Sequence, residues 1–288
     1  MRKIFSIILT ISMVITSSAT SYERLSARMN DHFYHAEWKE VLQEAQKMVK
    51  ERPTDVEPYS AAIIAAQFLN DIPAENHYLL MSQGNRIHID SLLNNVYVRT
   101  KLIHNAHVYE QLLLNLKANN RWLARVFNIY LLEFYDFARK TRQTIDTANE
   151  LLAITPDNIR FKKIKANALF YQGDSDEAIE IYEEVLQKDS TDYEILTFLG
   201  AYYAHQDHKA INAIDSAYLQ DAHPIDSVYT AQKQAVINHN IPRTIELLQR
   251  AHTQRPSTHI ANQIEQLSNI SAQLPLKNNN TKSDRRAK

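Results

Sequence analysis

Histidine is the first residue type whose number and spacing invite chemistry. The chain carries 12 histidines, and three pairs stand three residues apart: His32/His35, His104/His107 and His205/His208. Two imidazoles at that spacing share a helix face and can hold one metal ion. Glu110 follows His107 by three more residues, so His104, His107 and Glu110 would present three ligands if one helix carried them all. The His-Glu-x-x-His order of zinc proteases is absent, and surface histidines explain the same spacing. No metal or other cofactor is therefore expected. There is no cysteine and no Gly-x-Ser-x-Gly elbow, which removes thiolate, disulfide and serine-elbow chemistry. The densest acidic stretch is YQGDSDEAIEIYEEVLQKDSTDYE, residues 171–194. It lacks the central glycine and terminal glutamate of a calcium loop. Asp174, Asp176 and Glu177 instead stand where a helix would begin, a place that favours carboxylates. Glu180, Glu183 and Glu184 fall on that helix's outer side.

The elements that must position these residues are helices. Only 3 glycines occur in 288 residues, too few for a strand-and-turn fold or a phosphate loop. The formal net charge is −1, so no basic field points to nucleic acid. Residues 1–19 read as a secretory leader: Arg2 and Lys3, an apolar run from Ile4 to Ile15, then Ser17-Ser18-Ala19 before a cleavage site. Cleavage would leave a net charge of −3 and no membrane span, and without cysteine the chain is no lipoprotein. A periplasmic or secreted location is expected. From Pro275 to Lys288 the chain is polar, basic and aperiodic, the composition of a disordered tail.

Between leader and tail a period emerges. Helix stops at Pro156, Ser190, Pro224 and Pro256 fall at intervals of 34, 34 and 32 residues, and Pro53 lies 103 before Pro156. Each stop is followed by residues suited to capping, as in Thr54-Asp55, Asp157-Asn158, Thr191-Asp192 and Asp226-Ser227. Within one unit, Phe161, Ile164, Ala168 and Leu169 mark one amphipathic helix. Gly173-Asp174 breaks it. Ala178, Ile179, Tyr182, Val185 and Leu186 mark the second.

This pattern resembles the tetratricopeptide repeat family, a stack of 34-residue helix pairs. Ala166, Gly173-Asp174, Ala178, Tyr182 and the stop at Ser190 match its signature. Leu199-Gly200, Tyr203 and Pro224 repeat it, and Trp38, Leu42, Ala45, Met48 and Pro53 give it near the start. The resemblance is fullest over about 141–226 and nearly absent over about 73–124, where one long helix would fit as well as a pair. It implies an all-α, right-handed α-solenoid over residues 20–274. The units would run approximately 22–55, 56–90, 91–124, 125–158, 159–192, 193–226 and 227–258, with a cap helix at 258–272.

The resemblance also implies that the first helix of each pair lines a concave groove. The inward residues would be Arg160, Lys163, Asn167, Phe170 and Tyr171. The preceding unit would contribute Val126, Ile129, Glu133, Asp136 and Phe137, and the following one Glu194, Thr197, Ala201, Ala204 and His205. Lys163 and Asn167 match the start of the family's clamp for a peptide C-terminus, but Phe198, Val228 and Gln232 break the rest of it. Trp38, Trp122 and Tyr202/Tyr203 read as core or seam aromatics. Asp-Ser-apolar triplets at 90 and 226 suit helix capping as well as O-glycosylation. The resulting expectation is an exported, non-catalytic scaffold that binds a protein or peptide in its groove. A glycan or small-ligand binding module, or a metal-dependent or glycan-cleaving enzyme, is the alternative.

Overall fold

The computed structural model describes residues 20–272, so the expected leader and tail lie outside the described residues. The chain divides into two compact units, 1–151 and 152–288.

The first unit holds four helix pairs. They are α1 (Ser21–Tyr34) with α2 (Trp38–Glu51), α3 (Glu57–Phe68) with α4 (Ile72–Gly84), α5 (Ile89–Leu102) with α6 (Ala106–Asn119), and α7 (Ala124–Phe137) with α8 (Thr141–Ile154). Connections of three residues within a pair fold each second helix back on the first. Side chains start the helices. Thr20 and Glu23 form a reciprocal capping box, Asp71 accepts from the Ala74 N–H at 3.0 Å, and Asn105 accepts from the Val108 N–H at 3.3 Å. Pro58 and Pro73 sit in the first turn, where no N–H is needed. α3 is apolar on nearly every side and is enclosed by its neighbours, with Tyr59, Ile63 and Ile64 inaccessible to solvent. The region 91–124, which carries almost none of the family's residues, is thus a helix pair and not one long helix.

The turn inside each pair repeats more faithfully than the sequence does. Ala36, Asn70, His104, Arg139 and Gly173 all have left-handed backbone, with φ of 58°, 54°, 51°, 56° and 105°. They are spaced by 34, 34, 35 and 34 residues. At each, the next N–H reaches back five residues to close the first helix: Glu37 to His32, Asp71 to Ala66, Asn105 to Thr100, Lys140 to Tyr135 and Asp174 to Leu169. Glycine fills this position only once.

The second unit begins with the pair α9 (Ile159–Gln172) and α10 (Ser175–Lys188), followed by α11 (Tyr193–Gln220), α12 (Asp226–His239), α13 (Ile241–Gln254) and α14 (Thr258–Ala272). Here the expected units 193–226 and 227–258 are corrected. The next left-handed turn would fall at residue 207. Instead α11 continues unbroken for 28 residues, with Asp207 buried and accepting from the Thr244 hydroxyl at 2.7 Å. α11 packs chiefly on α13, not on α12. A methyl group at Gly200 would come within 2.6 Å of Leu248, so only glycine allows this approach.

The registers explain the pairing. Thr244, Leu248, Ala251 and Pro256 each lie 66 residues after Ala178, Tyr182, Val185 and Ser190. Since 66 is 34 plus 32, α13 is the second helix of the unit that α11 begins, displaced by 32 inserted residues. The insertion is a helical hairpin, the far half of α11 and α12. It is tied by Tyr229 and Lys233 to Asp215, both at 2.8 Å, and by Tyr218 to Asp226 at 2.6 Å.

Candidate functional site

Most groups singled out as chemical prove to be engaged in the fold. His104 occupies the left-handed turn between α5 and α6, while His107 and Glu110 lie on α6, so the three do not share a helix. Glu110 is buried and pairs with the Lys140 ammonium at 2.5 Å, and the His107 imidazole is 3.6 Å from it. Among the described residues no three His, Asp or Glu side chains come together as metal ligands. Three glutamates of the acidic stretch are likewise paired: Glu177 with Lys165 at 2.9 Å, Glu184 with Lys162, and Glu183 with Arg243 at 2.5 Å and with the Tyr203 hydroxyl. Glu183 and Glu184 therefore do not stand free in solvent as their helix position suggested.

Of the clamp-like pair, Lys163 is also committed. Lys163 donates to Asp192 at 2.8 Å and Glu194 at 2.6 Å. Burial works to lower the Lys163 ammonium, but the two carboxylates outweigh it and hold its pKa above the usual lysine value. Asn167 accepts the Tyr182 hydroxyl. Lys163 thus offers no vacant cation to a peptide terminus, whereas the exposed Asn167 engages only its carbonyl oxygen in this bond. Phe170 packs edge-on against Phe198 at 4.9 Å, in the seam between α9 and α11. Arg160 is exposed in the first turn of α9.

The remaining candidates fall into a register. Tyr34, Phe68, Leu102 and Phe137, at the ends of α1, α3, α5 and α7, are 62%, 37%, 50% and 74% exposed. Each lies two residues before the left-handed turn residue of its pair. In the second unit Tyr171, 67% exposed, holds the same position before Gly173, and His205 holds it on α11. Phe68 stacks on Trp38 at 4.2 Å, and Trp38 meets the edge of Phe33 at 5.4 Å, which fixes that rung. Trp122 is 65% exposed in the short turn before α7, so it is neither core nor seam, and it stands off this register.

Two clefts in the first unit open beside these rungs. One, about 490 Å³, lies among α1, α3 and α5, with Tyr34, Val98 and Leu102 on its wall and Arg99 within it. The Arg99 guanidinium is buried. It donates to Glu57 at 2.7 Å and Asn30 at 3.0 Å and lies over the Phe33 ring at 5.2 Å. The second, about 230 Å³, is formed by α5, α6 and α7 and lined by Tyr97, Tyr109, Tyr130, Glu133, Phe134 and Phe137. The structure thus brings Glu133 and Phe137 together, with Asp136 half-buried between them in sequence. Tyr97 and Tyr109 beside them were missed: they sit on α5 and α6, where the repeat signature is weakest. Burial and the acceptor Asp90, 2.9 Å from the Tyr130 hydroxyl, push that phenol far above its ordinary pKa and keep it neutral.

The left-handed turn that recurs every 34 or 35 residues, with Ala166 and Ala178 fully buried where two helices meet, decides the architecture. The fold is a tetratricopeptide-like repeat. No family model and no curated protein matches the chain. Among solved structures, a Bacteroides ovatus protein is 17% identical with a TM-score of 0.49, covering 76% of this chain and 99% of its own. A TPR repeats protein from Bacteroides fragilis is 16% identical with a TM-score of 0.39, covering 88% and 100%. A tetratricopeptide repeat protein from Parabacteroides merdae is 11% identical with a TM-score of 0.37, covering 88% and 100%. Overlap at this level leaves function to the tetratricopeptide-like chain's own surface.

Proposed function

We propose that this chain is an exported, non-catalytic adaptor that holds a protein partner along the first helices of its pairs. One observation carries the reading: the exposed apolar rungs Tyr34, Phe68, Leu102 and Phe137 recur at a single register. Lone exposed apolar side chains are ordinary on any surface. A row kept at one position in four successive pairs, with two clefts beside it, is the kind of patch that marks association. Recognition would be by shape and polar complementarity. Export is supported by the pattern of Arg2, Lys3 and Ile4–Ile15 before Ala19. Thr20, the residue after the expected cleavage point, caps α1, so cleavage leaves the first helix its cap.

The test is capture from host envelope extract by the mature chain, beside a Tyr34→Ser/Leu102→Ser/Phe137→Ser variant and a Trp122→Ser control matched in Tm. One protein held by wild type and control and lost by the triple variant is the expected result. Equal capture by all three, or none by wild type, overturns the reading. The mass of the chain recovered from the host should begin at Thr20, and a mass that retains Arg2 and Lys3 overturns export.

A further inference from the structure

The smaller cleft has a chemistry of its own. Tyr97, Tyr109, Tyr130, Phe134 and Phe137 supply aromatic faces, and Glu133 supplies a carboxylate. Tyr97 and Tyr109 meet at 5.1 Å between centroids, and Tyr109 and Phe134 at 5.7 Å. Sites for whole small molecules run from roughly 300 Å³ upward. At about 230 Å³ this one suits a single side chain. Its charge is on the side of a cation. Aromatic faces carry negative potential, Glu133 lies on the wall, and Asp90 stands behind Tyr130. The chain itself shows the preference: Lys101 places its ammonium 4.3 Å from the centroid of Tyr97 and 5.5 Å from that of Phe137. Lys101 is exposed on a flexible stem, so a guest cation can displace it.

We infer that this cleft is a receptor for one lysine or arginine side chain of a partner polypeptide, held against Tyr97, Tyr130 and Phe137 with Glu133 as counter-charge. The source of that cation rests on the adaptor reading, but the site can be tested without it. The probes are Nα-acetyl-lysine methylamide and Nα-acetyl-arginine methylamide, with Nα-acetyl-norleucine methylamide as the neutral control. Binding to the full chain is read from NMR shifts of the tyrosine ring protons. The cations should bind about five-fold or more tightly than norleucine. Glu133→Gln should weaken them several-fold. Lys101→Met, which removes the resident competitor, should strengthen them. Both side chains changed, Lys101 and Glu133, are exposed, and an unchanged Tm verifies that each variant is folded. Equal binding of norleucine, weaker binding in Lys101→Met, or no shift of the tyrosine rings with either cation overturns the assignment. Any of these outcomes leaves the adaptor reading to its own capture test.

Discussion

At the scale of single residues, this fold places ordinary side chains where glycine is easiest. A left-handed backbone costs a residue with a Cβ roughly 1–2 kcal/mol. Ala36 at φ 58° has no polar side chain to offset that cost. Ala36→Gly is expected to raise stability by up to about 1 kcal/mol in urea unfolding, whereas Asn70→Gly should change little, since asparagine tolerates this region. A second residue sets a pH dependence. Glu75 is 1% exposed on α4, and neither carboxyl oxygen has a hydrogen-bond partner. Burial pushes its pKa from the ordinary 4.5 up to about 7, with the nearby Asn115 side chain working weakly the other way. The folded state therefore holds a proton that the unfolded state has lost between these values. Its contribution is complete below about pH 4.5 and is lost as pH rises through about 7, a span worth roughly 3 kcal/mol. Glu75→Gln should gain on wild type by up to that amount between pH 5 and pH 8 in parallel urea melts. A constant difference across that range would contradict the account.

At the scale of elements, α11 shows what was legible in the sequence and what was not. The frame over 159–192 could be read because Gly173 and Ala178 carry it in their side chains, or their lack of one. The pairs at 57–84 and 89–119 followed from the 34-residue spacing alone, because what repeats there is a backbone conformation held by Asn70 and His104, residues with no fixed identity. The insertion hid for the opposite reason. Pro224 falls on the 34-residue interval but belongs to the hairpin tip, not to the end of a repeat. The available signal was the absence of any glycine or proline between Gly200 and Pro224, which lets α11 run on. If the hairpin is an insertion, it is removable. Deleting residues 208–239 with Asp207→Gly joins the chain in the register of Gly173-Asp174-Ser175. Circular dichroism should then show the loss of only the deleted helical residues, with cooperative unfolding kept. Collapse of the α11–α13 contact, seen as a broad melt, would contradict this pairing. The site was legible only in part. Family positions led to Glu133, Phe137 and Tyr171, which the structure leaves exposed, but not to the ion pairs of Lys163, whose partners Asp192 and Glu194 lie 29 and 31 residues on.

At the scale of the whole molecule, the account rests on the exposed row being a binding surface. The most direct measurement is site-specific photocrosslinking in the host, with a photoreactive phenylalanine placed singly at positions 34, 102, 137 and 122. All four residues are half or more exposed, but only the first three share the register. The account predicts one adduct of the same mass from 34, 102 and 137 and none from 122. An adduct equally strong from 122, or none from the three register positions, would contradict it.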